Sequence, residues 1–72
     1  MSDQETIAAF RATIERRIPE YQAVILKIEN NPDFSKEYKT TQVVLWKKEI
    51  TTAEQELIGF DNLILSIIKS YA

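Results

Sequence analysis

The chain contains no cysteine and no histidine, and it has only one glycine and two prolines among its 72 residues. Without cysteine, neither a disulfide nor a thiolate metal site can support the core of so small a protein. Without histidine, no side chain titrates near neutral pH in its unperturbed state. Acid–base chemistry would depend on shifted carboxylates, lysines or tyrosines in a chain too short to enclose a deep cleft. We therefore expect no enzyme, no cofactor and no metal site.

The charges are nearly balanced, with 9 Lys and Arg against 11 Asp and Glu and a formal net charge of −2. Because both signs are interspersed, the sequence offers no basic field for polymeric nucleic acid. The first five residues are acidic, where a secretion signal would be basic. The longest uncharged run near the C-terminal end, Asn62 to Ile68, is far shorter than the ~20 residues that a membrane span needs. We expect a soluble, cytoplasmic protein that does not bind membranes.

The first part of the chain has the pattern of one amphipathic helix. Ser2 followed by Glu5 forms a capping box and predicts a helix that begins near Asp3. Apolar side chains then recur on one face: Ile7, Phe10, Ile14, Ile18, Tyr21, Val24, Ile25 and Ile28. Pro19 lies inside this stripe and removes a backbone donor, but the stripe continues in register beyond it. We predict a kinked helix over residues 3–30, the alternative being a second segment that starts with Pro19.

The segment Asn-Asn-Pro-Asp, from Asn30 to Asp33, is a strong turn signal, because asparagine tolerates turn geometry and the residue before a proline avoids helical angles. After it, apolar residues alternate in steps of three and four: Val43, Trp46, Ile50, Ala53, Leu57, Phe60, Ile64, Ile67 and Tyr71. This spacing is typical of a coiled-coil seam and predicts a long helix over residues 34–71. Thr51 and Glu54 match a second capping box, so a break near Thr51 that gives three helices is the alternative.

These patterns predict an all-α fold with a single helical domain, residues 1–72, built as an antiparallel helical hairpin. From the position of the turn, residue i of the first helix is expected roughly opposite residue 65 − i of the second. The first helix then covers the second only as far as about Asp61. The apolar end from Asn62 to Ala72 is expected to project beyond it by ~15 Å.

The apolar side chains that this hairpin leaves uncovered predict a homo-oligomer, in which hairpins assemble into a helical bundle. They lie in the projecting end and in a second line, Val44, Ile58 and Leu65 with Leu45 beside it, that is off the seam. We expect the oligomer interface to comprise Leu57, Ile58, Leu63, Ile64, Leu65, Ile67, Ile68 and Tyr71. The alternative is a monomeric three-helix bundle, in which a break at Thr51 folds the last helix over both regions.

A basic cluster is expected at mid-hairpin, where the predicted register brings Arg17 near Lys48. It comprises Arg16, Arg17, Lys47 and Lys48, with Trp46 within reach of Arg17. Guanidinium groups bind phosphate or carboxylate through paired hydrogen bonds, and the indole offers a stacking face, so the cluster is a candidate anion-binding site. The alternative is that neighbouring glutamates neutralise these cations as solvated salt bridges.

The segment Gly59-Phe60-Asp61-Asn62-Leu63, followed by Ile67, resembles the last helix of small phage proteins that sequester the cyclic-oligonucleotide signals of the CBASS bacterial defence system. Those proteins are oligomers of helical hairpins. The resemblance covers one short segment of the chain. It implies a phage source and a small-nucleotide ligand, which the basic cluster would bind.

We interpret the chain as a small non-enzymatic interaction protein that self-associates through its apolar C-terminal helix. It would act by binding a larger protein or complex, as a regulator, inhibitor or adaptor. The alternative is an oligomeric ligand-binding module that sequesters a small anionic ligand, such as a cyclic nucleotide, through the basic cluster, as phage anti-defence sponges do. The two functions differ in which surface carries the activity: apolar residues in the first, and cations in the second.

Overall fold

The computed structural model describes residues 2–71, which form two α-helices, α1 (Asp3–Glu29) and α2 (Lys36–Tyr71). The helices pack antiparallel as a helical hairpin joined by residues 30–35, so the predicted all-α hairpin is confirmed. The Cα atoms span 56 × 21 × 9 Å, which is one layer of two helices. Assembly into a bundle stays a prediction. Met1 and Ala72, the two ends of the predicted domain, lie outside the described residues.

The side chain of Ser2 caps the N-terminus of α1 and so determines where the helix starts. The backbone of Ser2 is extended, with φ −76° and ψ 156°, and its Oγ accepts a hydrogen bond of 3.2 Å from the backbone N–H of Glu5. This bond satisfies one of the amide donors that a first helical turn leaves unpaired. Asp3 and Glu5 add negative charge at the positive end of the helix dipole. The predicted start at Asp3 is confirmed.

Pro19 lies inside α1, which continues across it from Asp3 to Glu29. The alternative of a second segment starting at Pro19 is therefore wrong. Pro19 has no N–H to offer the carbonyl of Glu15, and both residues are exposed, so water can satisfy that carbonyl. A proline is tolerated here because it faces away from the partner helix.

The connection between the helices is held by backbone hydrogen bonds and by the side chains of Asn31 and Ser35. The backbone N–H of Asn30 donates to Leu26 O at 3.0 Å, and that of Asn31 donates to Ile28 O at 3.3 Å. Asn31 Oδ1 then accepts from the N–H of Asp33 at 2.9 Å, which reverses the chain in an Asx turn. Ser35 caps α2, because its Oγ accepts from the N–H of Tyr38 at 3.1 Å. The cap starts α2 at Lys36, two residues after the predicted start.

The helix α2 does not break at Thr51. The hydroxyl of Thr51 donates to Lys47 O at 3.1 Å, and that of Thr52 donates to Lys48 O at 3.0 Å. Both hydroxyls therefore bond back into the preceding turn of a continuous helix, and neither caps a new one. The predicted three-helix alternative is wrong, and the continuous second helix is confirmed.

The interface between the helices is narrow. Among residues 2–71, the buried apolar residues are Ile14, Ile25, Ile28 and Ala53. The remaining seam residues of α2 as far as Ile64 are half-buried: Val43, Trp46, Ile50, Leu57, Phe60 and Ile64. The seam is therefore confirmed up to Ile64, but Ile67 is 44% exposed and Tyr71 is 89% exposed.

One position in the predicted stripe of α1 is wrong. Phe10 is 61% exposed, although its ring stacks on that of Phe60 with centroids 5.6 Å apart. Its neighbour Arg11 is half-buried instead. Arg11 follows Ile7 by four residues and precedes Ile14 by three, so it occupies the seam spacing that Phe10 does not.

The predicted register of the hairpin is also wrong. Phe10 was expected opposite Gln55 but packs on Phe60, and the ring of Tyr21 packs on Trp46 at 5.3 Å instead of lying opposite Val44. These two ring pairs place the α2 partner five positions later for Phe10 and two positions later for Tyr21 than the predicted register does.

With this register, α1 covers more of α2 than expected. Ile7 borders one surface groove together with Ile64 and Leu65, so the expected projection of everything from Asn62 onward is a wrong prediction. Apolar side chains at this end are exposed nonetheless, because a single layer of two helices leaves both of its broad faces open.

In the described part of the chain, neither α1 nor α2 contains an apolar stretch that could span a lipid bilayer.

Candidate interaction surfaces

A straight row of side chains runs along the solvent side of α2. It consists of Val44, Thr51, Ile58 and Leu65, each seven residues from the next, and we call it the heptad row. Seven residues make nearly two helical turns, so the four side chains lie in line. The row follows the seam residues by one position, about 100° around the helix. Val44, Ile58 and Leu65 are 48%, 62% and 53% exposed.

A second exposed apolar region lies at the end of α2, and we call it the C-terminal apolar end. Its members are Leu63, Ile67, Ile68 and Tyr71, which are 58%, 44%, 58% and 89% exposed. At 100° per residue these four side chains lie within an arc of about 140°, so they form one broad apolar face at the end of the helix. Two broad faces and this end are therefore available to another molecule.

The structure divides the eight predicted interface residues into two groups. Leu57 and Ile64 are half-buried in the seam between α1 and α2. The other six are exposed: Ile58, Leu63, Leu65, Ile67, Ile68 and Tyr71. Covering a half-exposed side chain of this size contributes about 1 kcal/mol, so covering all six contributes on the order of 5 kcal/mol. Their role in an oligomer stays a prediction.

An ion pair fixes the two helices at this end of the hairpin. Arg11 donates from Nε to Asp61 Oδ1 at 2.9 Å and from Nη2 to Asp61 Oδ2 at 3.1 Å, and it also pairs with Glu15. Paired parallel bonds of this kind specify geometry as well as contributing energy. The hydrogen bonds from Arg11 hold the pKa of Asp61 below its ordinary value and raise the pKa of Arg11.

The four cations of the predicted basic cluster lie in different surroundings. Arg17 donates from Nη1 to Glu56 Oε2 at 3.0 Å, instead of lying near Lys48. Arg16 is exposed. Lys47 borders a groove with Lys39 and Glu29, whereas Lys48 borders a groove that includes Trp46. The proximity expected from the register is therefore not found for Arg17 and Lys48, and anion binding stays a prediction.

A groove beside Trp46 is bordered by two aromatic residues, and we call it the aromatic groove. It is lined by Tyr21, Gln42, Leu45, Trp46, Lys48 and Glu49. The rings of Tyr21 and Trp46 pack with centroids 5.3 Å apart and their planes tilted by 54°. Lys48 and Glu49 add one cation and one anion. This combination suits an apolar side chain flanked by charges of either sign.

Sequence reasoning missed the pairs that set the hairpin geometry. Arg11 and Asp61 are 50 residues apart, and the detectable signal was a cation at seam spacing between Ile7 and Ile14. It also missed Phe34 and Tyr38, whose rings pack 4.7 Å apart beside the turn. The signal available for this pair was the spacing of four residues between two aromatic residues near the start of a helix.

Within residues 2–71, no group of three or more carboxylates comes together as a metal ligand set. No protein-family model, curated protein or solved structure matches this chain. The resemblance of residues 59–63 to phage proteins therefore stays an expectation.

Proposed function

We propose that this chain is a non-enzymatic interaction protein that works as an assembly of helical hairpins and acts by binding a larger protein, as a regulator, inhibitor or adaptor. The observation that carries the proposal is the imbalance between buried and exposed apolar residues. Across residues 2–71, four apolar residues are buried, whereas twelve large apolar residues are at least 37% exposed. Contiguous exposed apolar surface is typical of proteins that associate.

The shape of the hairpin explains why this imbalance needs another molecule. Two helices share one seam, and a layer 9 Å thick has no third element to cover its faces. A chain of this length buries a smaller fraction of its surface than larger domains do. Association supplies the missing burial, and the heptad row and the C-terminal apolar end are the surfaces that would provide it.

The charged groups support the same interpretation. Arg11 and Asp61, whose hydrogen bonds to each other raise the pKa of the guanidinium and lower the pKa of the carboxyl group, bind each other across the two helices. Such a pair stabilises the hairpin and leaves neither group free for acid–base chemistry.

Self-association is tested by measuring molar mass with light scattering. We expect the wild type to have a multiple of 8.4 kDa and the double variant Leu65→Asp/Ile68→Asp to have the monomer mass, with helical circular dichroism retained. The matched control is Leu26→Asp, which places the same charge at a leucine of α1 that is 58% exposed and lies outside the heptad row and the C-terminal apolar end. A wild type that is monomeric and well folded would contradict the proposal.

We assign partner binding to the aromatic groove, because Trp and Tyr are over-represented among the residues that dominate interface energies. Tyr21, Leu45 and Trp46 contribute apolar surface, and Lys48 and Glu49 can fix orientation. In affinity capture from host cells, Leu45→Asp should lose a partner that the wild type retains, without a change in molar mass. Retention of every captured protein by this variant would exclude the groove as the binding site.

A second candidate function is the sequestration of a small anionic ligand. One observation favours it: Lys48 lines the same groove as Tyr21 and Trp46, so a cation and two aromatic residues border one depression. Calorimetric titration with linear and cyclic nucleotides should then show heat that Lys48→Ala removes and Lys36→Ala preserves. No heat with any member of a broad nucleotide panel would exclude this function.

A further inference from the structure

We propose that two copies of this chain pair through the heptad row of α2, antiparallel to each other, about a two-fold axis that passes between Glu54 and Gln55. The pairing rests on the self-association proposed above and specifies its contact. A two-fold contact uses the same surface of both copies, so the row has to be complementary to itself. Its spacing, its flanking charges and its exposure each meet that requirement.

The spacing of the row is symmetric about the proposed axis. Val44 and Leu65 are equally distant from the midpoint between residues 54 and 55, and so are Thr51 and Ile58. The axis therefore places Val44 against Leu65 of the second copy and Thr51 against Ile58 of the second copy. A shift by one heptad in either direction leaves members of the row without a counterpart. The row extends over about 32 Å of helix, at 1.5 Å per residue.

The charges beside the row favour antiparallel over parallel pairing. Lys47, Glu54 and Asp61 run along one flank of the row, also at intervals of seven. In antiparallel helices the same flank of each copy meets, so Lys47 lies opposite Asp61 of the second copy, and this contact occurs twice. In a parallel pair the two different flanks meet, and Lys47 would face Lys48 of the second copy. Opposite charges at such flanking positions determine the orientation of paired helices.

The other flank of the row contains Lys48, Gln55 and Asn62. About the same axis, Gln55 meets Gln55 of the second copy, where two amides can exchange hydrogen bonds. Lys48 meets Asn62 of the second copy, whose amide oxygen can accept. One contact opposes the pairing, because Glu54 approaches Glu54 of the second copy near the axis.

The row can be covered without leaving a polar group unpaired. The hydroxyl of Thr51 already donates to Lys47 O, so its burial leaves no free donor. The carboxylate of Asp61 binds Arg11, but each of its oxygens can accept a further hydrogen bond, and the residue is half-exposed. Arg11, Asp61 and Lys47 of the second copy would then form one alternating network of charges.

Single-cysteine variants test the pairing directly, because the chain has no cysteine and every disulfide must join two copies. A disulfide requires Cα atoms about 4.4–6.8 Å apart, so it reports close opposition. In a mild redox buffer, Gln55→Cys should form a covalent dimer. Val44→Cys and Leu65→Cys should each stay uncrosslinked when alone and should crosslink when mixed. Lys36→Cys, which is exposed outside the row, is the control and should not crosslink.

The possible outcomes separate this pairing from self-association in general. Crosslinking of Val44→Cys alone and of Leu65→Cys alone would mean parallel pairing and would overturn the proposal. A wild type that associates in light scattering while no row variant crosslinks would overturn the pairing and leave self-association intact. A monomeric wild type would overturn both.

A charge variant provides an independent test that does not depend on oxidation. Glu54→Gln removes the one like-charged contact near the axis, so it should tighten the dimer dissociation constant about two- to threefold at low salt, measured by sedimentation. The matched control Glu20→Gln, exposed on α1, should leave the constant unchanged. Equal effects of the two substitutions, or weaker association of Glu54→Gln, would count against the proposed axis.

Discussion

Truncation of Ile14 should destabilise the hairpin far more than truncation of Ile58. Ile14 is 6% exposed in the seam, so Ile14→Ala removes three buried carbon atoms at ~0.8 kcal/mol each, or ~2.4 kcal/mol. The cavity that remains brings the expected cost to about 3 kcal/mol. Ile58 is 62% exposed, and the same truncation there should cost about 1 kcal/mol in the isolated hairpin. The two variants lose identical atoms, so the difference between them measures burial alone.

Urea unfolding followed by circular dichroism, at several protein concentrations, measures this difference. With a slope near 1 kcal/mol/M for a protein of this size, Ile14→Ala should lower the midpoint by about 2–3 M. The loss of unfolding free energy caused by Ile58→Ala should grow with protein concentration, because association that covers Ile58 adds to the stability of the native state. Equal losses for the two variants in dilute solution, or a cost below ~1 kcal/mol for Ile14→Ala, would refute the seam described for α1.

Three further substitutions, the first with a matched control, test separate parts of the structure. Ser35→Ala removes the cap of α2 and should cost about 1 kcal/mol in urea unfolding, whereas Ser70→Ala should cost much less because its hydroxyl bonds only within the helix. Gly59→Ala should stabilise the hairpin by about 1 kcal/mol, because a Cβ at Gly59 meets no atom within 4 Å; a loss of stability would indicate a close neighbour. The pKa of Asp61 is lowered by Arg11 from 3.8, so the ion pair stabilises the fold above that pH and the contribution is lost as pH falls through the folded pKa. Asp61→Asn should therefore be less stable than the wild type at pH 7, and the difference should shrink on acidification; a difference independent of pH would contradict this.

The helices themselves could be predicted from the sequence because their signals are local. The capping pattern at Ser2 and the three-four spacing from Val43 to Ile64 depend on residues one or two turns apart, and both are found in the structure. The register could not be predicted in this way. It is defined by contacts between residues far apart in sequence, such as the pairing of Arg11 with Asp61 at a separation of 50 residues.

The candidate surfaces differ in the same way, because one depends on a single helix and the other depends on the alignment of two. The heptad row is a property of one helix, so its spacing was visible in the sequence and its exposure is found in the structure. The basic cluster combined residues of both helices through an assumed register. A shift of that register gave Arg17 a glutamate neighbour, Glu56, in place of Lys48. A site that spans two elements is only as reliable as the alignment of those elements.

The corrected register removes one part of the reason for expecting association. In the predicted hairpin the uncovered surface comprised an end that projected beyond the first helix and a line of apolar residues off the seam, Val44, Ile58 and Leu65. In the structure Ile7 reaches the level of Ile64 and Leu65, yet Leu65 is still 53% exposed. The exposure of Leu65 therefore comes from the open side of a two-helix layer. Open sides are covered by hairpins that pack side by side along their length, which is the contact that the heptad row provides.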